Sequence, residues 1–275
     1  MHLKKAIYWS IFWIALSLLF NVGVYYTEGH EKALEFFTGY LIEKVLSVDN
    51  LFVFLIIFKI FGVELKDQRR VLNWGIIGVI ILRGILILIG AKLVHEFEWI
   101  LLFFGAILIY TGFHVVFGEE KKIDPDKNIV VRLFKKLIPV TTQNAGGHHF
   151  FIRIDKKIYA TTLFICLIVI ETTDVVFAAD SIPAIFAITT DPFIILSSNL
   201  MAVLGLRSLY FVLEELHTSF NYVKFGVGIV LVFVGIKMLI SEFYKINTTL
   251  SFTIVISILI ASVVFSLFKQ NKSSV

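Results

Sequence analysis

Apolar and polar positions in this chain come in long blocks rather than in single alternating steps. Runs rich in Leu, Ile, Val and Phe fall at about 6–26, 34–62, 71–93, 97–117, 158–187, 193–213, 222–241 and 248–268, separated by short polar stretches. Each run is long enough to cross roughly 30 Å of hydrocarbon, which takes about 20 residues of helix. Backbone groups in lipid must be satisfied within the segment, so continuous helices are the expected form. The pattern predicts an all-α, polytopic membrane helix bundle of about eight transmembrane helices, forming a single transmembrane domain over residues 1–275.

The polar stretches set orientation. Lys4 and Lys5 precede the first run, Lys66, Arg69 and Arg70 lie between the second and third, and Lys269 and Lys272 follow the last. The stretch 118–157 carries nine Lys and Arg against five acids, whereas the alternate loops at 27–31, 95–98 and 189–192 are poor in basic residues. Basic residues collect on the cytoplasmic side, so both termini and the 118–157 linker are expected there. Pro125, Pro139 and Gly146–Gly147 mark the linker as irregular, with a short amphipathic piece around 129–138 expected on the membrane surface. His148 and His149 are expected to be ordinary linker residues, not metal ligands. The N-terminus has the charge and apolar run of a signal peptide. That run continues to Tyr26 with no A-x-A-like site, so a retained helix is expected.

Composition strengthens the membrane assignment: 58% of residues are hydrophobic, 17% are charged and 28 are Phe, with a mean hydropathy of +0.88. A soluble domain is nearer half apolar and a quarter charged. The formal net charge of +4 sits in short loops beside apolar runs, which gives no support to nucleic-acid binding. A single cysteine, Cys166, excludes an intrachain disulfide and a thiolate zinc cluster, and is expected to be a small buried filler.

Acids inside the apolar runs change the picture. "ETTDVVFAADSIPAIFAIT" places Glu171, Asp174 and Asp180 where each carboxylate costs about 2.5–3.5 kcal/mol on insertion scales. The stretch has a counterpart: in "EKVLSVDNLFVF", Glu43 matches Asp174, Asp49 matches Asp180 and Asn50 matches Ser181. "GVIILRGILIL" and "AVLGLRSLYFV" then pair Arg83 with Arg207. "FGAILIYTGFHVV" and "VGIVLVFVGIKML" pair Gly105 with Gly228, Gly112 with Gly235 and His114 with Lys237. Three helices align with three, in the same order. The expected organisation is repeat one at about 34–117 and repeat two at about 158–241, with peripheral helices at about 6–26 and 248–268. Under the charge-derived topology the two triplets have opposite orientation, an arrangement common in transporters with a site at mid-depth.

Six residues of unbroken helix rotate by about 240°, so Glu43 and Asp49 would not share a face. The spacing suggests that the helices unwind near "LSVDN" and near "AADSIP", where Pro183 cannot donate to Ala179. Gathered at the centre, Glu43, Asp49, Asn50, Glu171, Asp174, Asp180 and Ser181 would form an oxygen-only donor set. Such a set suits Mn²⁺, Mg²⁺ or Ca²⁺. Several carboxylates cannot stay ionised together in low dielectric without a cation, which suggests exchange of metal for protons. Arg83 and Arg207 are charge-compensating residues in either of two ways. Each pairs with an acid of the opposite repeat, or each neutralises the site once the cation has left. His114 and Lys237 are expected to reach the membrane interface, and Asp191 to cap the helix that follows it.

The motifs "EKVLSVDNLFVF", "ETTDVVFAADSIPAIFAITTDPFI" and "SSNLMAVLGLRSLYFVL" closely resemble the TerC family of bacterial integral membrane proteins, especially its Alx-like branch, over nearly the whole chain. The resemblance implies an ion transporter of the inner membrane, grouped with the LysE-like superfamily. It implies Mn²⁺ export as substrate transport, with no prosthetic group, and places the seven oxygen-bearing residues on the family's acidic motifs. The resembling family is named for a tellurium-resistance gene cluster, a label that implies little chemistry, because carboxylates repel the tellurite oxyanion. The competing expectation is a factor for membrane-protein assembly or metallation, as assigned to plastid relatives. Such a factor would keep working after Asp49→Asn or Asp180→Asn. An intramembrane aspartyl protease is disfavoured because its G-x-G-D stretch is absent, so an enzyme is not expected. Expected partners are the metal ion, the lipid bilayer, and copies of the chain or other membrane proteins.

Overall fold

Long apolar runs with few internal Gly or Pro favour helices, and helices dominate the chain. The computed structural model describes residues 3–97, 99–117, 130, 132–134, 139–141, 149–154, 157–216, 223–241, 243–244 and 246–273. Side chains within this set that the structure leaves out include those of Asp49 and Asp180. The helices are α1 (Leu3–Glu28), α2 (His30–Ile60), α3 (Leu65–Glu96), α4 (Trp99–Phe117), α5 (Thr162–Phe186), α6 (Pro192–Leu204), α7 (Leu206–Leu216), α8 (Val223–Ile240) and α9 (Thr248–Ser273). By length and composition, five described helices can cross a membrane, or six if α6 and α7 are one span bent by 40°. Glu43, Lys44 and Asp49 in the middle of α2 keep it outside that set, and the apolar part of α8 covers only Phe225–Ile240.

The linker holds a small sheet that the hydropathy reading missed. β1 (Val140–Thr141), β2 (Phe151–Ile154) and β3 (Lys157–Thr161) lie in the order β1-β3-β2. β1 runs parallel to β3, and β2 antiparallel, with Phe151 opposite Ala160 and Ile154 opposite Lys157. The aromatic and β-branched run Phe150-Phe151-Ile152-Arg153-Ile154 was the available signal. β3 takes the first residues assigned to the 158–187 span, so the helix begins at Thr162. Phe134, Phe150 and Phe151 surround Phe164, with ring centroids 5.4, 6.4 and 4.4 Å away, and tie the linker to α5. Of the amphipathic piece expected at 129–138, residues 130 and 132–134 are helical, and the remainder lies outside the described residues, as does His148.

The expected unwinding of α2 and α5 does not occur: both run unbroken through Asp49 and Asp180. Pro183 lies in the last turn of α5, which ends at Phe186, so its missing N–H and ring disturb little remaining helix. The interruption falls instead at Gly205, between α6 and α7.

Packing brings α2 against α5 and α6, α3 against α5 and α6, and α4 against α8, while α1 lies along α2 and α7 and α9 along α8 and α2. The α4–α8 pair is antiparallel and closely apposed, because glycines face glycines. A Cβ on Gly105 would lie 3.0 Å from Gly235 O, and one on Gly112 would lie 2.6 Å from Gly228 O. Small residues of this kind let membrane helices approach at backbone distance.

Among the described residues a small apolar cluster around Phe36, Tyr40, Ile194 and Ala202 accompanies two larger ones that fill the interior. One contains Leu51, Val79, Ile170 and Tyr210, and the other Ile42, Ile87, Ala178 and Ile185. Along α3 the chain passes from Val79 in the first to Ile87 in the second, along α5 from Ile170 to Ala178, and along α2 in the reverse sense from Ile42 to Leu51. The segments between those pairs carry Arg83, Asp174 and Glu43. A polar layer is thus sealed between two apolar ones.

Candidate functional site

On α2, Glu43, Ser47 and Asn50 are spaced i, i+4, i+7 and fall on one helix face, and all three are buried. On α5, Asp174 and Ser181 are seven apart, two turns on the same face, and both are buried. Arg83 enters from α3 and is about 1% exposed.

These groups converge on the Arg83 guanidinium. Nε donates to Asp174 Oδ2 at 2.8 Å and Nη2 to Asp174 Oδ1 at 3.0 Å, a two-pronged contact. Nη1 donates to Glu43 Oε1 and, at 3.4 Å, to Ser181 Oγ. Glu43 also accepts from Ser47 Oγ at 3.2 Å and, through Oε2, from Asn199 Nδ2 on α6 at 2.9 Å. Four helices therefore contribute to one ionised network. Charge-assisted bonds of this kind are about twice as strong as neutral ones. They are needed here, since removing one partner of a buried pair strands a charge at a cost of several kcal/mol.

Glu171 stands apart. Both its carboxylate oxygens are buried with no hydrogen-bond partner among the described residues. Its carboxylate lies against α3, where a side chain on Gly78 would overlap it, and a Cβ on Gly75 would lie 3.7 Å from Oε1. Arg207 has surroundings unlike those of Arg83. Its Nη1 donates to the amide oxygen of Asn73, not to a carboxylate. Among the described residues Arg83 meets an acid of each triplet, whereas Arg207, next to the Gly205 interruption, meets Asn73 near the start of α3.

Of the residues selected from sequence, the structure gathers Glu43, Arg83, Asp174 and Ser181 by direct contact. Asn50 is buried on the same face of α2 as Glu43. The backbones of Asp49 and Asp180 are helical, and their side chains lie outside the described set. Among the described residues no group of three or more His, Cys, Asp or Glu side chains is gathered as a ligand set. The oxygens that meet around Arg83 are carboxylate and hydroxyl, a chemistry that suits hard cations, while Asn199 faces Glu43 with its amide N–H.

Sequence reasoning missed Asn199, the Ser47 hydroxyl and Lys44. Asn199 is a polar residue inside the apolar "SSNLMAVL", and Ser47 follows Glu43 by one helical turn, so both carried a signal. Lys44 was hidden by its neighbour Glu43. Asp191 caps α6 by accepting from Phe193 N at 3.0 Å, with Pro192 following. Cys166 is fully buried. His114 is exposed and stacks on Tyr110, with centroids 6.1 Å apart.

A bundle of apolar helices enclosing a buried ionised layer defines a multi-pass integral membrane protein with a polar centre. The chain matches the family described as "Integral membrane protein TerC family" over residues 28–274, and it belongs to that family. It is 45% identical over 268 residues to "Uncharacterized membrane protein STKORF319" of Myxococcus xanthus, covering 98% of this chain and 84% of that one. It is also 45% identical over 274 residues to "Putative membrane-bound redox modulator Alx" of Escherichia coli (strain K12), covering 97% and 85%. A Rickettsia bellii "Uncharacterized membrane protein" is 42% identical over 271 residues, covering 98% and 89%. No solved structure matches.

Proposed function

We propose that this protein transports a hard divalent cation, with Mn²⁺ as the substrate and export as the direction, in exchange for protons across the bacterial inner membrane. The observation that carries this reading is the buried contact of Glu43 and Asp174, from two different helices, with the single guanidinium of Arg83. The guanidinium is a tethered cation held where two carboxylates converge. A divalent ion binding Glu43 and Asp174 must displace it, and after the ion departs the return of Arg83 together with one proton keeps the empty site neutral. The hydroxyl oxygens of Ser47 and Ser181 lie in the same network and would help hold the ion. None is a soft ligand, which favours Mn²⁺ over copper or zinc.

The triplets α2–α4 and α5–α8 are read as an inverted repeat. In support, α2 runs opposite to α5 between the two larger apolar clusters. The contact of Gly105 with Gly235 also becomes the contact of Gly228 with Gly112 when matched residues are exchanged. The relatives' redox-modulator name finds little footing in thiol chemistry here, because the only cysteine is buried.

The test is total cellular manganese in a strain lacking the gene, grown in excess Mn²⁺. Wild-type protein should lower it, and Asp174→Asn or Asp180→Asn should not. Equal manganese in all strains overturns the transport reading, and retained physiological function in both Asn variants would favour an assembly factor.

A further inference from the structure

We infer that Lys44 is a positioning residue for α7: its ammonium fills a cation seat built into the interruption between α6 and α7 and holds the bend that follows the Asn199 contact with Glu43. The inference goes beyond the transport reading and stands on the contacts of α2 with α6.

An interrupted helix leaves carbonyls without intrahelical donors, and in a membrane these need partners from elsewhere. Here the partner comes from α2: Lys44 Nζ donates to Ala202 O at 3.0 Å. Gly205 makes the room, since a Cβ there would lie 2.7 Å from Nζ and 3.1 Å from Trp13 Cβ. The Tyr40 ring, one turn earlier on α2, has its centroid 5.8 Å from Nζ and presents its π-face to the charge. The carbonyl end of α6 adds the negative pole of its dipole.

Lys44 makes no ion pair among the described residues, and the neighbouring Glu43 is already engaged by Arg83, Ser47 and Asn199. A carbonyl, an aromatic face and a helix C-terminus are what a small monovalent cation seeks, and here a side chain supplies that cation. Consecutive residues of α2 then grip α6 twice, Glu43 through Asn199 and Lys44 through Ala202. Gly39 lets the helices close, as its added Cβ would lie 3.0 Å from Ser198 Oγ. The position matched to Gly205 in α3 is Ile81 and that matched to Lys44 in α5 is Val175, so the first triplet lacks both parts of the seat.

The test uses purified full-length protein carrying Cys166→Ser and Ser208→Cys, with maleimide labelling of the buried α7 position as the readout. Lys44→Ala, and Lys44→Met, which keeps a stem without the ammonium, should each label about tenfold faster, the size expected from losing one charged hydrogen bond. Methylammonium should slow Lys44→Ala back toward the parent rate, and tetramethylammonium, which has no N–H donor, should not. Gly205→Ala should reproduce the acceleration with Lys44 present, and combining it with Lys44→Ala should add little. Parent-like labelling of Lys44→Ala or Lys44→Met, or acceleration indifferent to methylammonium, overturns the inference. Failure of the wild type to move Mn²⁺ would sink the transport reading and leave these labelling results standing.

Discussion

Arg83 and Arg207 are matched when the sequences of the two helix triplets are aligned, yet their surroundings differ in kind. Arg83 sits in the middle of the unbroken α3, buried, with Asp174 and Glu43 around it. Arg207 follows the interruption at Gly205 and, among the described residues, donates to the amide oxygen of Asn73. α3 has Ile81 where the other triplet has Gly205, and the continuous helix keeps its arginine at the depth of the acids. The same residue type at the same motif position thus becomes a core counter-ion in one half and a peripheral hydrogen-bond donor in the other. Helix continuity, not side-chain chemistry, makes the difference.

The most damaging way to break this contrast is to neutralise each arginine in turn. Arg83→Gln strands Glu43 and Asp174 and should cost roughly 3–5 kcal/mol of stability. Arg207→Gln loses one hydrogen bond to a neutral group and should cost about 1 kcal/mol. Unfolding followed in detergent by circular dichroism checks both, and equal losses would show that the second arginine also meets buried acids. A smaller effect is expected where α4 and α8 cross. Gly112→Leu and Gly228→Leu should each cost about 1–3 kcal/mol by overpacking against the opposing backbone, whereas Gly23→Leu, with nothing within 4 Å of its added Cβ, should be nearly silent. Unequal losses at Gly112 and Gly228 would show that the two halves of that interface are not equivalent.

The smallest effect concerns a contact between the ends of α2 and α6. Partial burial pushes the Asp191 carboxyl up, but its hydrogen bond with Lys32 and those from the Phe193 and Ile194 N–H groups outweigh this and hold it below the usual carboxylate range. A folded-state value that is depressed stabilises the fold fully above the unfolded value and loses that contribution as pH falls through the folded one. Asp191→Ala should therefore cost about 1 kcal/mol at pH 7, and the gap to wild type should shrink below about pH 4. A gap of equal size at pH 7 and pH 3, read from the same unfolding curves, would mean that the ionised carboxylate is not what caps α6.

Hydropathy alone established a helical membrane bundle, because burying apolar side chains in lipid and satisfying backbone groups within a helix are local requirements that each segment states for itself. The acids at 43 and 171–174, the matched arginines and the glycines of α4 and α8 were visible for the same reason, since each violates or serves a local rule. What each charge meets depended on segments far apart in the chain. Asp174 and Arg83 are 91 residues apart, and Lys44 and Ala202 are 158. The unwinding expected near Asp49 and Asp180 does not occur, and within the unbroken helices Glu43 and Asp174 are met by Arg83, and Glu43 also by Asn199, from neighbouring ones. The helix that does break could do so because a lysine from α2 supplies the missing donor. Only packing in three dimensions decides such pairings, since the energy of a buried charge depends on what surrounds it and not on its neighbours in sequence.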